Sequence, residues 1–177
     1  MIISVERARE LIALDGWTDA KIKMKLEAIE RTIRAYTNNN FQSRGHRIRA
    51  DIQAGVFVSE SLVPFEIDDT VQVSGSRYSD GLYTVSGASD TSFFVEEEPK
   101  FDQDGVLVTK VAYPADVVEC AVNLLEWDYN NRGKVGIQSE TLSRHSVTYF
   151  NMDGDNSAMG YPKSLLGCLK AYRKARF

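Results

Sequence analysis

Two histidines, two cysteines and a run of acids are the side chains best suited to chemistry in this chain, and their spacing limits what they can do. His46 sits in a basic stretch and His145 far along the chain, each without a second histidine or a cysteine nearby to complete a metal site. Ser146 follows His145 directly. Neighbours on an extended chain point to opposite faces, so the pair is not a nucleophile and its base. The loop NMDGDNS alternates Asp153, Asp155 and Ser157 in the manner of a calcium loop. It fails where such a loop is most demanding, because Ala158 stands where glycine is required and Ser164 where a bidentate acid is required. Glu96, Glu97 and Glu98 are consecutive and diverge from one another, which suits a solvated strand end that resists strand addition. The glycines of VSGSRYSDG follow hairpin logic and do not lead from a strand into a phosphate-binding helix. Cys120 and Cys168 both fall on apolar stripes of predicted helices and are expected to be free thiols packed as small hydrophobes. No nucleophile, base and orienting group can be assembled, so the chain is expected to be non-enzymatic, with no catalytic, cofactor-binding or metal-binding residues.

What remains is charge. The net charge of -4 and pI of about 5.3 argue against a protein whose main task is to neutralise phosphates. The end of the chain differs: Lys170, Arg173, Lys174 and Arg176 occur there without one acid. Such a run reads either as a solvated helix end that complements the negative pole of the helix dipole or as an interaction surface.

The elements that position these groups fall into three blocks. In the first, Ile22, Leu26, Ile29, Ile33 and Tyr36 recur at steps of four and three and predict a helix with one apolar stripe, N-capped by Thr18 and stopped by the run Thr37 to Asn40. A shorter helix, Ser4 to Leu14, is predicted to end at Asp15-Gly16. The second block, from about His46 to Val111, alternates with period two in GVFVS, DTVQVSG, GLYTVSG, TSFFVEE and GVLVTKV. Asp80-Gly81 and Asp104-Gly105 act as turn signals, and these five short strands predict a small antiparallel barrel. The third block returns to helix at Tyr113-Pro114, with Val117, Ala121, Leu125 and Tyr129 at spacings of four, widened by Val118 and Val122 and closed by Gly133. The segment Lys134 to Gly160 is long and irregular, although RHSVTYF within it alternates like a strand, and it reads as a contact loop. Tyr161-Pro162 then opens a predicted final helix with Leu165, Leu166, Leu169 and Tyr172 on its apolar face.

The expected fold class is therefore α+β. A small bundle of about four helices is formed by the N- and C-terminal segments, 1–45 and 112–177, and a small β-barrel is inserted over 46–111. A chain of 177 residues is long enough to bury such a core without staples. No stretch approaches the ~20 apolar residues of a membrane span. The N-terminus lacks the pattern of a secretory signal, and the expected compartment is the cytosol of the producing cell.

Taken in order, LIALDGWTDAKIKMKLEAIERTIRAYTNNNF, YPADVVECAVNLLEWDYNNRGKVGIQSETLSRHSVTYF and GYPKSLLGCLKAYRKARF resemble the head-tail connector family of long-tailed phages, also called adaptor or head-completion proteins. In that family a helix pair opens the chain, and a further helix ends in a loop of the type GIxSExL. A VTY strand follows, and a basic helix of the type YPxSLLxxLxxYR closes the chain. The strand-rich block from His46 to Val111 departs from the shortest members and looks like the barrels inserted in longer relatives. The resemblance implies a virion protein, present in the host cytoplasm before assembly, whose copies close into a ring, most often of twelve. Such a ring docks beneath the portal protein, extends the DNA channel and offers a platform to a tail-side connector or tail terminator. DNA passes through it without sequence-specific binding, and no membrane is involved. The implied contact residues are Lys163, Lys170, Tyr172, Arg173, Lys174, Arg176 and Phe177, together with Gly136, Ile137, Ser139, Glu140, Leu142, Val147, Tyr149 and Phe150. The competing expectation is a nucleic-acid- or peptide-binding module, in which Arg44, Arg47, Arg49 and Arg77 with Tyr78 and Tyr83 give the barrel a basic, aromatic face.

Overall fold

The computed structural model describes residues 1–97, 99, 101–131, 139–142, 145–148 and 155–175, with 139–142 and 145–148 described as backbone. Within these the chain divides into two compact units, one of residues 40–113 with Met1 and one of 2–39 with 114–177. The second unit thus draws on both ends of the chain, and the architecture is α+β with a closed antiparallel barrel.

In the helical unit, α1 (Val5–Leu11) begins at Ser4, whose hydroxyl accepts the Arg7 amide at 3.2 Å. It stops at Ile12, earlier than the Asp15-Gly16 signal predicts. The reason lies in Ile12 and Leu14, both buried: residues two apart share a face only in extended chain. The next helix, α2 (Asp19–Thr37), starts at Thr18, whose hydroxyl accepts the Lys21 amide at 3.3 Å. Ile22, Leu26, Ile29 and Ile33 are fully buried along its predicted stripe. Asn38, with φ of 48° and ψ of 38°, terminates it in the left-handed conformation that asparagine tolerates better than most residues. On α3 (Ala115–Asn131) the buried face runs through Val117, Cys120, Ala121, Leu124 and Leu125, while Val118 and Val122 flank it half-buried.

The predicted C-terminal α-helix is not formed. Tyr161–Pro162 is a two-residue strand paired with Ser157–Ala158, and Gly167–Tyr172 is a 3₁₀ helix. From Pro162 onward the amides of Leu165, Leu166, Gly167 and Leu169 each bond the carbonyl three residues back. Gly167 in the middle of the run weakens an α-helix, and the tighter winding still buries Leu166 and Leu169 completely. The cysteine expectation is also corrected. Cys168 is exposed on this segment, and its sulfur forms a disulfide with buried Cys120 of α3, across a Cα–Cα distance of 6.5 Å that such a bond spans.

The barrel unit has six strands where five were expected: β1 (Gln42–Gln53), β2 (Val56–Val58), β3 (Thr70–Ser74), β4 (Gly81–Ala88), β5 (Ser92–Val95) and β6 (Gln103–Val111). They close in the order β1-β2-β5-β4-β3-β6, every neighbouring pair antiparallel. The unexpected strand is β1, whose Ile48, Ala50 and Ile52 point inward between outward Arg47, Arg49 and Asp51. Between Gln42 and Arg47 the register slips against β6, so that Ser43 to His46 bulge from the wall, closed by Ser43 Oγ and His46 Nδ1 at 3.0 Å. Asp104-Gly105 is a second irregularity and not a hairpin turn. Gly105, with φ of 70°, lies inside β6 and donates its amide to Asp51 at 2.7 Å. Phe57 and Phe93 stack at 4.6 Å in the core, and Phe65 meets Phe93 edge-on at 5.2 Å.

Candidate functional site

The basic end of the chain leaves its 3₁₀ helix at Arg173 in extended form and lies against the C-terminus of α2. A helix end leaves its last carbonyls without partners, and here the chain's own tail satisfies one of them: the Lys174 amide donates to the Thr37 carbonyl at 2.8 Å. Two asparagines hold the tail from the other side. Asn38 Nδ2 donates to the Ala175 carbonyl at 2.9 Å, and Asn39 Nδ2 to the Tyr172 carbonyl at 3.3 Å. The Arg173 guanidinium stands 5.3 Å over the Tyr36 ring. Ala35, Tyr36, Asn38, Met159, Arg173 and Lys174 line an open notch there, and Met159 contributes an exposed apolar side chain to it. Two cations thus lie at the negative pole of α2, where the helix dipole favours them.

Further back, the Tyr172 hydroxyl donates to the Asp116 carboxylate, at 2.7 and 2.8 Å from its two oxygens. That bond, reinforced by desolvation and by the carboxylate's charge, holds the phenol proton and raises the Tyr172 pKa above the ordinary tyrosine value. Lys163 donates to the Asp155 carbonyl at 2.7 Å, and Lys170 is exposed on the 3₁₀ helix. Tyr172, Arg173 and Lys174 are therefore brought together, whereas Lys163 belongs to the turn that opens the segment. Ser139, Glu140 and Leu142 lie on a strand, β7 (Ser139–Leu142), that pairs antiparallel with β8 (His145–Thr148), which carries Val147. In that register Glu140 faces Val147 and Leu142 faces His145. Gly136, Ile137, Tyr149, Phe150, Arg176 and Phe177 lie outside the described residues, as does Asp153 of the calcium-like loop.

Sequence reasoning missed the residues that hold this segment in place. Asp128, 2% exposed on α3, pairs with Lys25 of α2 at 3.2 Å and accepts the Tyr161 hydroxyl at 3.2 Å. The signal was present, because a carboxylate falls four residues after Leu124 on an apolar stripe, a place it occupies only with partners.

The basic, aromatic face expected of the barrel is dispersed. Arg47 and Arg49 point outward from β1, while Arg77 lies over Tyr78 in the β3–β4 connection. Tyr83 turns its ring onto Phe57 of the core at 6.2 Å between centroids and donates its hydroxyl to the Ser79 carbonyl at 3.0 Å. Its pKa is raised, first by burial and then by the charges of Glu97 and Asp80. Among the described residues no three His, Cys, Asp or Glu side chains are grouped to hold a metal ion, and no helix is long and apolar enough to cross a membrane. Fold and surface together define an α+β chain of two units, with a cationic segment at Arg173 and Lys174. The chain matches no family model and no curated protein sequence.

Proposed function

We propose that this chain is a non-enzymatic structural subunit of a tailed-phage particle, a head-tail connector that assembles with copies of itself into a ring docked below the portal. The reading is supported chiefly by one observation: the two ends of the chain, which carry the family-like motifs, fold into a single helical unit on which the basic segment Tyr172 to Ala175 is pinned as a defined surface. A ring uses two different complementary patches on each subunit, and a cationic face that is anchored through backbone bonds serves as one of them. In this reading the portal and a tail-side connector or terminator are the partners on either side of the ring. The acidic remainder of the chain lets DNA slide past without sticking. The protein resides in the host cytoplasm before assembly and in the virion afterwards.

Electron microscopy of the protein mixed with its cognate portal is expected to show a ring of added density beneath the portal. The Arg173→Glu, Lys174→Glu double variant is expected to lose most of that density at low salt. Undiminished occupancy by that variant, or no added density with the unaltered protein, contradicts the reading.

A further inference from the structure

The barrel carries a charge division that the helical unit does not explain. Residues 40–113 contain twelve Asp and Glu against six Lys and Arg, yet three of the six bases, Arg44, Arg47 and Arg49, occur on β1. All three are exposed, and none forms an ion pair among the described residues. Arg47 bonds only neutral partners, Thr109 at 2.9 Å and Gln42 at 3.4 Å. Beside them runs an open cleft lined by Arg47, Arg49, Asp51, Glu60 and Leu107, in which Asp51 is already engaged by the Gly105 amide.

A complementary patch lies elsewhere on the same barrel. The connection from Ser59 to Asp69 crosses from β2 to β3, plugging the core with Phe65 and leaving Leu62 75% and Ile67 62% exposed. Around Ile67, Glu66 and Asp68 are exposed and form no ion pair among the described residues. Asp68 is fixed by its amide, which donates to the Val85 carbonyl of β4 at 2.9 Å, and the turn before it by the Glu66 amide on the Asp69 carboxylate at 2.9 Å.

The strand order sets where the two patches stand. In the circle β1-β2-β5-β4-β3-β6, the acidic turn leads into β3, two strands from β1 through β6, and bonds β4, three strands from β1 in either direction, so Glu66, Ile67 and Asp68 stand on a different wall of the barrel from the arginines. They also lie near the same end. Thr70, just after the acidic turn, pairs with Val111, and Val111 pairs with Gln42 at the foot of the arginine bulge. Two unlike, mutually complementary faces on different walls of one unit are what a head-to-tail ring contact needs, whereas a two-fold contact needs one self-complementary face. DNA is the poorer partner for the arginines, because acids outnumber bases two to one in this unit.

We propose that the barrel is a head-to-tail self-association module: the β1 face of one copy, Arg44, Arg47 and Arg49, receives the ridge Glu66-Ile67-Asp68 of the next copy. The proposal rests on the ring reading above and adds the barrel surfaces that close the ring. Ile67 supplies the apolar anchor and the charges supply orientation and salt sensitivity.

Full-length protein is compared by analytical ultracentrifugation at low and high salt with two variants, Arg44→Glu/Arg47→Glu/Arg49→Glu and Glu66→Lys/Asp68→Lys. Unaltered protein is expected to self-associate, and each variant alone to require at least about tenfold higher concentration, the effect of losing ~1.4 kcal/mol per contact. All the substitutions are at exposed positions, and circular dichroism verifies that both variants fold. Mixed one to one, the variants are expected to recover assembly, since each reversed face then meets its complement on the other chain. The module is overturned by unaltered protein that stays monomeric, by either variant assembling like the unaltered protein, or by a mixture that stays apart. It is also overturned if the arginines instead support salt-sensitive binding of double-stranded DNA that the triple variant loses. Rings seen beneath the portal with either variant retain the connector reading and remove only the barrel contact.

Discussion

Tyr172 gives its proton to a bond with Asp116, and the consequence for stability has a definite sign. Because the folded state raises the tyrosine pKa, this bond favours folding below the ordinary tyrosine pKa of about 10, and the contribution is lost as pH rises through the higher folded value. Spectrophotometric titration of the eight tyrosines is expected to show Tyr172 and Tyr83 ionising late. Asp116→Asn returns one of the two toward the ordinary range and leaves the other in place. An unchanged curve for that variant contradicts the bond. Asp128 belongs to a different class, because its carboxylate is buried and its partners Lys25 and Tyr161 come from other segments of the helical unit. Truncating one member of a buried pair leaves the other charge uncompensated. Asp128→Ala is therefore expected to cost about 3 kcal/mol in urea unfolding, and a cost below about 1 kcal/mol contradicts the assigned burial.

Among the elements, α2 is the one most fully written in local sequence. Thr18 caps it, four fully buried residues define its face, and Asn38 ends it, all within some twenty consecutive positions. Strands β2 to β6 are visible through their alternation, whereas β1 is the strand that the sequence reading missed, although RIRADI alternates between charge and core. Its arginines made it look like a linker, although arginine on an outward face is compatible with any strand that has one wet side. The C-terminal element misled in the opposite direction. Its leucine spacing suits an α-helix, but Pro162 and Gly167 bracket too few residues for one to be stable, and burial of Leu166 and Leu169 is achieved by 3₁₀ turns. The Cys120–Cys168 bond fastens this element to α3 across a sequence separation of 48. By the loop-entropy relation, such a closure contributes about 4 kcal/mol. Cys168→Ser is expected to lower the melting temperature in oxidising buffer, and added dithiothreitol to erase the difference between variant and unaltered protein. Equal melting in both buffers contradicts the bond. Disulfides persist in oxidising surroundings and are rare in the cytosol, so the bond is expected to be held where the chain meets an oxidising medium.

At the scale of the molecule, each unit has its own core: Ile22, Leu26, Ile29 and Ile33 with Leu124 and Leu125 in one, and Phe57, Phe93 and their aliphatic neighbours in the other. A large-to-small change is felt first by the core that holds the cavity. Phe57→Ala, at a cost of about 4 kcal/mol, is expected to move one calorimetric transition and Ile29→Ala another. A single transition shifted equally by both variants contradicts that division.

What the chain determines by itself is whatever can be read within a few consecutive residues: the period of each stripe, the caps at Ser4 and Thr18, and the switch from helix to strand and back. Tertiary structure alone decided that β3 pairs with β6 and β1 with β2 and β6, that Asp128 meets Lys25 and Tyr161, and that Tyr172 to Ala175 settle on the end of α2. Asn38 and Ala175 are 137 positions apart. Local periodicity arises from backbone geometry that repeats every two or 3.6 residues, and each residue carries that signal on its own. A bond between distant residues forms only when every intervening element has been packed, so its partners are set by the sum of that packing and leave no mark in either local stretch.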